Sequence, residues 1–528
     1  MAQSHHQFCE DAQAGANPAA LDAHATAALA AGRCGDPFAF LGPHRTPQGR
    51  VVRAFLAGAS SVEAVGGESG RLLGLLEPLD EHGLFGGAVE GDEPYLLRIS
   101  WPGVTVLTED PYSFGPLLSG DDLALFSAGV HPALPSILGA RLMHVGAVAG
   151  VRFSVWAPNA RRVSVVGDFN AWDARRHPMR LRHEAGVWEI FVPRLHAGER
   201  YKFAILGRDG AELPFKADPM AERAETPPDT ASIVAVPLRH AWRDAEWMAS
   251  RAARQAPDAA LSIYEVHIGS WLRPDGRDID WDEAAERLPA YARALGFTHV
   301  ELLPIAEYPF GGSWGYQPLS LFAPTARHGD AHGFARFVDA CHARGLAVHL
   351  DVVFNHLGPE GAYLDRFGPY LSDRHATPWG AAVNVDGPGS DEVRRFLVGC
   401  AVHWLEEHHV DGLRLDAIHG IVDASPVPFL RELGEAVRDV GALTRRPRLA
   451  IAESDLNDPR VVRPAEVGGL GIEPLRELRP LRAGRPVAVD ASGLGKSARP
   501  LSDRISIVDR ERRLGRDMPV DGRRAHTG

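Results

Sequence analysis

Cysteine is scarce in this chain: Cys9, Cys34, Cys341 and Cys400 are the only four in 528 residues. They are widely spaced, without the paired spacing of a metal site, and the last two fall on apolar helix faces, so buried or free thiols are expected. No constellation of metal-ligating side chains accompanies them, and no metal or cofactor is expected. Long apolar runs are also lacking. No stretch is long enough to span a bilayer, and the first ten residues hold no basic segment followed by an apolar one, which points to a cytoplasmic protein. Positive charge is in deficit, with a formal net charge of −12. That balance disfavours nucleic acid and anionic membrane as partners and suits a neutral substrate.

A chain this long exceeds the needs of one core, and about three domains are expected at roughly 150 residues each. Residues 1–35 are Ala-rich and polar, with nothing to fix them beyond a short Ala-rich helix, and read as a disordered leader. From about Pro37 to Leu238, short β-branched runs such as Val151-Arg-Phe-Ser-Val-Trp alternate with Gly, Pro, Asn and Asp. This pattern predicts strands and turns. Its length and a break near Ser127 to His144 predict two β-sandwiches, over 36–130 and 131–240.

After about Leu261 strand-like and helix-like runs alternate, the signature of βα units on a parallel sheet. Strands are predicted at Leu261 to Ile268, Thr298 to Ile305, Leu346 to Phe354, Gly412 to Asp416 and Arg448 to Glu453. Polar residues gather where these strands end: Asp351, Asn355, His356, Arg414, Asp416 and Glu453. A (β/α)8 barrel keeps its chemistry at that mouth, and an open doubly wound sheet does the same. From 471 to 528 the texture turns Arg-rich and aperiodic. That tail cannot supply three further βα units, so it is expected to be disordered and the barrel over 255–470 to be incomplete.

Asp416 and Glu453 each close a predicted strand. Glycosidic bond cleavage uses such a pair, one carboxylate as nucleophile and one carboxylic acid to protonate the leaving oxygen. Arg414 lies two residues before Asp416, on the same face of the strand, where it can orient the carboxylate and hold it ionised. Glu453 must keep its proton until delivery, which calls for a raised pKa.

The words Asp351-Val-Val-Phe-Asn-His, Asp411-Gly-Leu-Arg-Leu-Asp and Ala452-Glu453, in this order, resemble three signature regions of the α-amylase superfamily. The resemblance implies Asp416 as nucleophile, Glu453 as general acid/base, His356 and Arg414 as contacts to nucleophile or sugar, and Asp351 as a structural residue near the site. Trp314-Gly-Tyr316 is similar to the family's aromatic platform, with Tyr316 stacking on the sugar. Over roughly 34–330, through Asp36-Pro-Phe-Ala-Phe-Leu-Gly-Pro-His, Gly167-Asp-Phe-Asn-Ala-Trp and Tyr264-Glu-Val-His-Ile-Gly-Ser-Trp, the chain resembles bacterial glycogen branching enzyme, and its second sandwich a glycogen-binding module. Over roughly 351–470, through Asn355-His-Leu-Gly-Pro-Glu-Gly and Thr377-Pro-Trp-Gly-Ala-Ala, it is similar to malto-oligosyltrehalose trehalohydrolase. Asn355 and His419 are not normal for a branching enzyme.

The branching resemblance implies retaining transfer of an α-1,4-glucan chain to a 6-hydroxyl by a monomer acting on glycogen or a related glucan. The other resemblance implies hydrolysis that releases trehalose. A third possibility is a glycogen-binding remnant without turnover. The superfamily pattern includes an Asp following a His after a later strand, and no His-Asp pair follows Glu453.

Overall fold

The computed structural model of the protein describes residues 17–256, 259–361, 363–443 and 448–474. The first sixteen residues of the expected leader lie outside them. The rest of it is ordered, against expectation. Asp22 accepts the Ala25 N–H and starts a helix over Ala23–Ala30 that buries Ala25 and Leu29. Its approach is pinned from elsewhere in the chain, by Arg53 donating to the Ala19 carbonyl and by Asn17 donating to that of Gly86. Composition alone shows an Ala run but not these distant anchors.

The first β region forms one continuous antiparallel sheet of seven strands where two separate sheets were expected. The sheet folds over its own core. Val52, Ala54 and Phe85 from one side meet Val62, Ala64, Leu97 and Ile99 from the other. The alternation that predicted strands reports the buried face and is blind to whether two leaves share a strand. The second region does form two sheets, of three and four strands. Phe153, Val155, Val163, Val165, Trp188, Ile190, Tyr201 and Phe203 fill the space between them.

Beyond the linker helix Ala245–Arg254, a parallel sheet runs Ile263–Val266, His299–Leu302, Ala347–Val352, Gly412–Leu415, Leu449–Ala452 and Glu473–Pro474, paired in chain order. Strand order never reverses, unlike a doubly wound sheet with its switch point. The sixth strand corrects the expected five and the expected start of the tail at 471. Glu473 and Pro474 pair with Ile451 and Ala452, and Ile472 is buried beside them. Two residues carry no readable period, and proline is tolerated at such an edge. The remaining tail, 475–528, lies outside the described residues.

The long helices between these strands are Trp281–Ala294, Ala331–Ala343, Ser390–Glu406 and Phe429–Leu443. The first begins with a capping box, Asp280 with Glu283, which satisfies two otherwise orphaned N–H groups. Trp281, fully buried, packs against Phe334 and Phe337 of the next helix. Cys341 and Cys400 are buried on their helices as free thiols, as is Cys34 in the N-terminal region. Cys9 lies outside the described residues. Among the described residues, no helix is long and apolar enough to cross a membrane.

Candidate active site

Strand register brings the acidic residues together. Asp351 pairs with Arg414, and Arg414 with Ile451, so the two-residue period places Asp351, Arg414, Asp416 and Glu453 on one face. Pairing continues one residue past the strands. Asp416 N–H donates to the Val352 carbonyl and Glu453 N–H to that of Leu415, each at 3.0 Å.

Arg414 holds the group together. Its Nη1 donates to Asp351 Oδ2 at 2.6 Å and to Asp416 Oδ1 at 3.0 Å, and its Nη2 lies 3.8 Å from Glu453 Oε2. Burial opposes the guanidinium charge, but Asp351 and Asp416 hold its pKa above the ordinary value. Asp351, nearly fully buried, has its carboxyl pushed up to about 7 by burial, against the pull of Arg414. Tyr316 donates its hydroxyl to Asp351 Oδ2 at 2.8 Å, and burial plus the Asp351 charge raise its pKa.

The turn after Asp416 also serves Glu453. Ala417 takes a left-handed conformation, with φ 42°, and its N–H donates to Glu453 Oε2 at 2.7 Å. On the other side, Asn355 Nδ2 donates to the Asp416 backbone carbonyl at 2.7 Å and to its Oδ2 at 3.0 Å. His356 places Nδ1 against Asn355 Oδ1 and Nε2 at 2.8 Å from the Tyr316 carbonyl. Burial pushes the His356 pKa down, with that carbonyl and Asp416 acting the other way.

Seven residues singled out from sequence, Tyr316, Asp351, Asn355, His356, Arg414, Asp416 and Glu453, therefore meet at one mouth. Tyr316 reaches it through a turn that needs Gly315: at φ 94°, a Cβ there would lie 2.1 Å from the Pro304 carbonyl oxygen. Two exposed aromatics complete the rim. Trp314 is tilted against His267, and Trp379, at the tip of the hairpin Leu371–Thr377 and Gly380–Val383, stacks on His356 at 5.5 Å with the planes 21° apart. Sequence reasoning missed Trp379 as a site residue. The Thr377-Pro-Trp-Gly turn is visible in the sequence, but its folding back over the mouth is not. Among the tryptophans of the second sandwich, Trp156 is core, 4% exposed. Trp172 is half-buried, stacks on the exposed Phe215 and donates Nε1–H to Asp168.

The site thus lies at acidic ends of sequential βα units, behind two β domains. Three families match in the same order: the alpha-1,4-glucan branching enzyme GlgB N-terminal domain over residues 22–112, carbohydrate-binding module 48 (isoamylase N-terminal domain) over 137–221, and the alpha amylase catalytic domain over 270–376. The chain is similar to bacterial 1,4-alpha-glucan branching enzymes. It is 49% identical over 479 residues to 1,4-alpha-glucan branching enzyme GlgB 1 of Xanthomonas campestris, covering 85% of this chain and 65% of that one. It is 48% identical over 501 residues to GlgB of Pseudomonas fluorescens, covering 88% and 66%. This similarity reaches past the first 330 residues. The chain spans just under two thirds of the length of these relatives. A crystal structure described as an alpha amylase from Salmonella typhimurium superposes with a TM-score of 0.51 at 31% identity, over 62% of this chain and 51% of that one.

Proposed function

We propose that the chain is a branching-type α-glucan transferase, with Asp416 as nucleophile and Glu453 as general acid/base. Asp416 attacks the anomeric carbon of an α-1,4 linkage while Glu453 gives its proton to the departing glycosidic oxygen, leaving a glycosyl group esterified to Asp416. Glu453 then takes the proton from the 6-hydroxyl of an acceptor glucan, whose oxygen displaces Asp416 and forms an α-1,6 branch with retained configuration. The observation that carries this reading is the Arg414 guanidinium, which touches Asp416 and lies beside Glu453. It orients the carboxylate for attack and leaves Glu453 on the backbone N–H of Ala417.

In this reading the six sequential strands are the first part of a (β/α)8 barrel, and the catalytic unit runs from about 255 through the sixth strand at Glu473–Pro474. The domains over 36–130 and 131–240 precede it, the second holding glycogen near the site with Trp172 as a contact. The protein works as a monomer in the cytoplasm. Tyr316 and His356 line the sugar at the cleavage point, and Asp351 supports Arg414 from below.

The test is incubation of the purified chain with amylose, followed by debranching and chain-length analysis. New α-1,6 branches without new reducing ends, abolished by Asp416→Asn and by Glu453→Gln, are expected. A trehalose-releasing hydrolase is the second reading. It is favoured by Asn355 on Asp416 and by His419 placed 3.5 Å from Asp455, since Asn355 and His419 belong to the stretch similar to trehalohydrolase. Free trehalose from maltooligosyl-trehalose would select it. Glycogen binding with neither product would leave only the binding role.

A further inference from the structure

Asn355 has no part in the scheme above, yet it is fully buried and spends its whole amide on the site. Its Nδ2 meets two oxygens of one residue, the backbone carbonyl and carboxylate Oδ2 of Asp416. Arg414 takes the other carboxylate oxygen, Oδ1. Both oxygens of the nucleophile are thus engaged, one by a charge from its own strand and one by a neutral donor that follows the neighbouring strand Ala347–Val352.

The amide cannot turn over while Asp416 is ionised. A flip would set Asn355 Oδ1 against two oxygens that carry negative charge or a carbonyl dipole, whereas the present orientation makes a charge-assisted bond. With Nδ2 committed, Oδ1 is left facing His356 Nδ1. Gly420 packs against the same side chain, where an added Cβ would stand 3.2 Å from Asn355 Cβ.

We propose that Asn355 is a positioning residue for glycosyl transfer: it fixes the rotation of the Asp416 carboxylate, so that one lone pair of this oxygen pair stays aimed at the anomeric carbon. The inference rests on the reading of Asp416 as nucleophile. It predicts a rate effect on ester formation and little effect on substrate affinity, because Asn355 is buried behind the nucleophile and binds it at two points. A purely structural asparagine would lower stability and leave the rate per folded molecule alone.

The test isolates the first half-reaction with an α-maltooligosyl fluoride as donor. The C1–F bond breaks, fluoride leaves with the electron pair, and the C1–O bond to Asp416 forms. Fluoride needs no proton from Glu453, so its release reports the nucleophile. Asn355→Ala is expected to slow release by about 10- to 100-fold, the loss typical of a hydrogen bond to a charged group, with KM for the donor moved less than about threefold. Asn355→Ser, which keeps a donor, recovers part of the rate. If the alanine variant does not fold, Asn355→Asp, of the same shape but without the donor, is expected to lose at least as much. Unchanged release in the alanine or aspartate variant, while Asp416→Asn is dead, overturns this inference alone, as does a change confined to KM. Release that survives Asp416→Asn, or none from the wild-type chain, overturns the transfer reading and this inference with it.

Discussion

Arg414 and Asp416 stand two residues apart on one strand and meet side chain to side chain at 3.0 Å. The same nitrogen of Arg414 reaches Asp351 at 2.6 Å on the neighbouring strand. A guanidinium can serve several carboxylates because its donors lie in a rigid plane.

Replacing Arg414 should therefore separate geometry from charge. Arg414→Lys keeps the charge but offers one compact ammonium, which cannot hold both Asp351 and Asp416 while lying beside Glu453. Branching activity per folded molecule is expected to fall by about 100-fold or more, the scale of losing an oriented charge at a reaction centre. Arg414→Met leaves the buried Asp351 with Tyr316 alone, and a stability loss of about 3 kcal/mol is expected from breaking a buried pair. Product analysis on amylose checks the first outcome and urea unfolding the second.

Asp351 gives a pH dependence with a definite sign. Its carboxyl rises from 3.8 to about 7 in the folded protein through burial, so the native state binds more protons than the unfolded chain between those values. Its stabilising contribution is complete below about pH 4 and is lost as pH rises through about 7. Asp351→Asn keeps the shape but cannot titrate. The difference in Tm between wild type and Asp351→Asn is expected to shift in favour of the variant between pH 5 and 8, as thermal unfolding in matched buffers would reveal; a constant difference would remove Asp351 as the source.

Much of this mouth was legible because the information is local. Arg414 and Asp416 share a strand, and a period of two puts them on one face whatever else the fold does. The predicted strands lie where the structure has them, each longer than observed by one to three residues at one or both ends, as at Asp416 and Glu453. What was illegible depends on distant partners. The helix Ala23–Ala30 is held by Arg53, and the first β region joins into one sheet through pairings no alternation records. Trp379 comes over His356 from a hairpin whose direction is set by tertiary packing. The contacts of Asn355 depend on the neighbouring strand for the same reason.

Asp411, at the opposite end of its strand from Asp416, is fully buried and anchors the linker helix. Its oxygens accept from Trp247 Nε1 at 3.0 Å, Arg251, His342 Nε2 at 2.8 Å and Val348 N–H at 2.7 Å. His342 Nδ1 meets Asp244 at 3.0 Å. Burial opposes its charge, yet Asp411 and Asp244 raise its pKa above 6.5. Its contribution is complete below pH 6.5 and is lost as pH rises through that raised value. Asp411→Ala strands a buried arginine and a buried histidine and is expected to cost about 3–5 kcal/mol. Urea unfolding followed by far-UV CD measures it, and a loss below about 1 kcal/mol would be incompatible with this role.

Trp379 supplies the last expectation. The residue is 47% exposed although its ring stacks on His356, and the ring lies 5.9 Å from His419, at a tilt of 57°. An indole stacked on one ring and half exposed at the mouth is placed to cover a ligand that enters it. Thr377 and Gly380 hold the hairpin tip by hydrogen bonds that do not involve the indole, so truncation should spare the fold. Trp379→Ala is expected to raise KM for maltooligosaccharides by about tenfold, the upper range for a stacking contact, with kcat changed less than about threefold, the pattern of binding lost equally from ground and transition states. Trp379→Phe should recover part of the affinity. Titration of the inactive Asp416→Asn protein with maltoheptaose, followed by tryptophan fluorescence, gives an independent readout: quenching that survives Trp379→Phe undiminished would place the sugar elsewhere in the mouth.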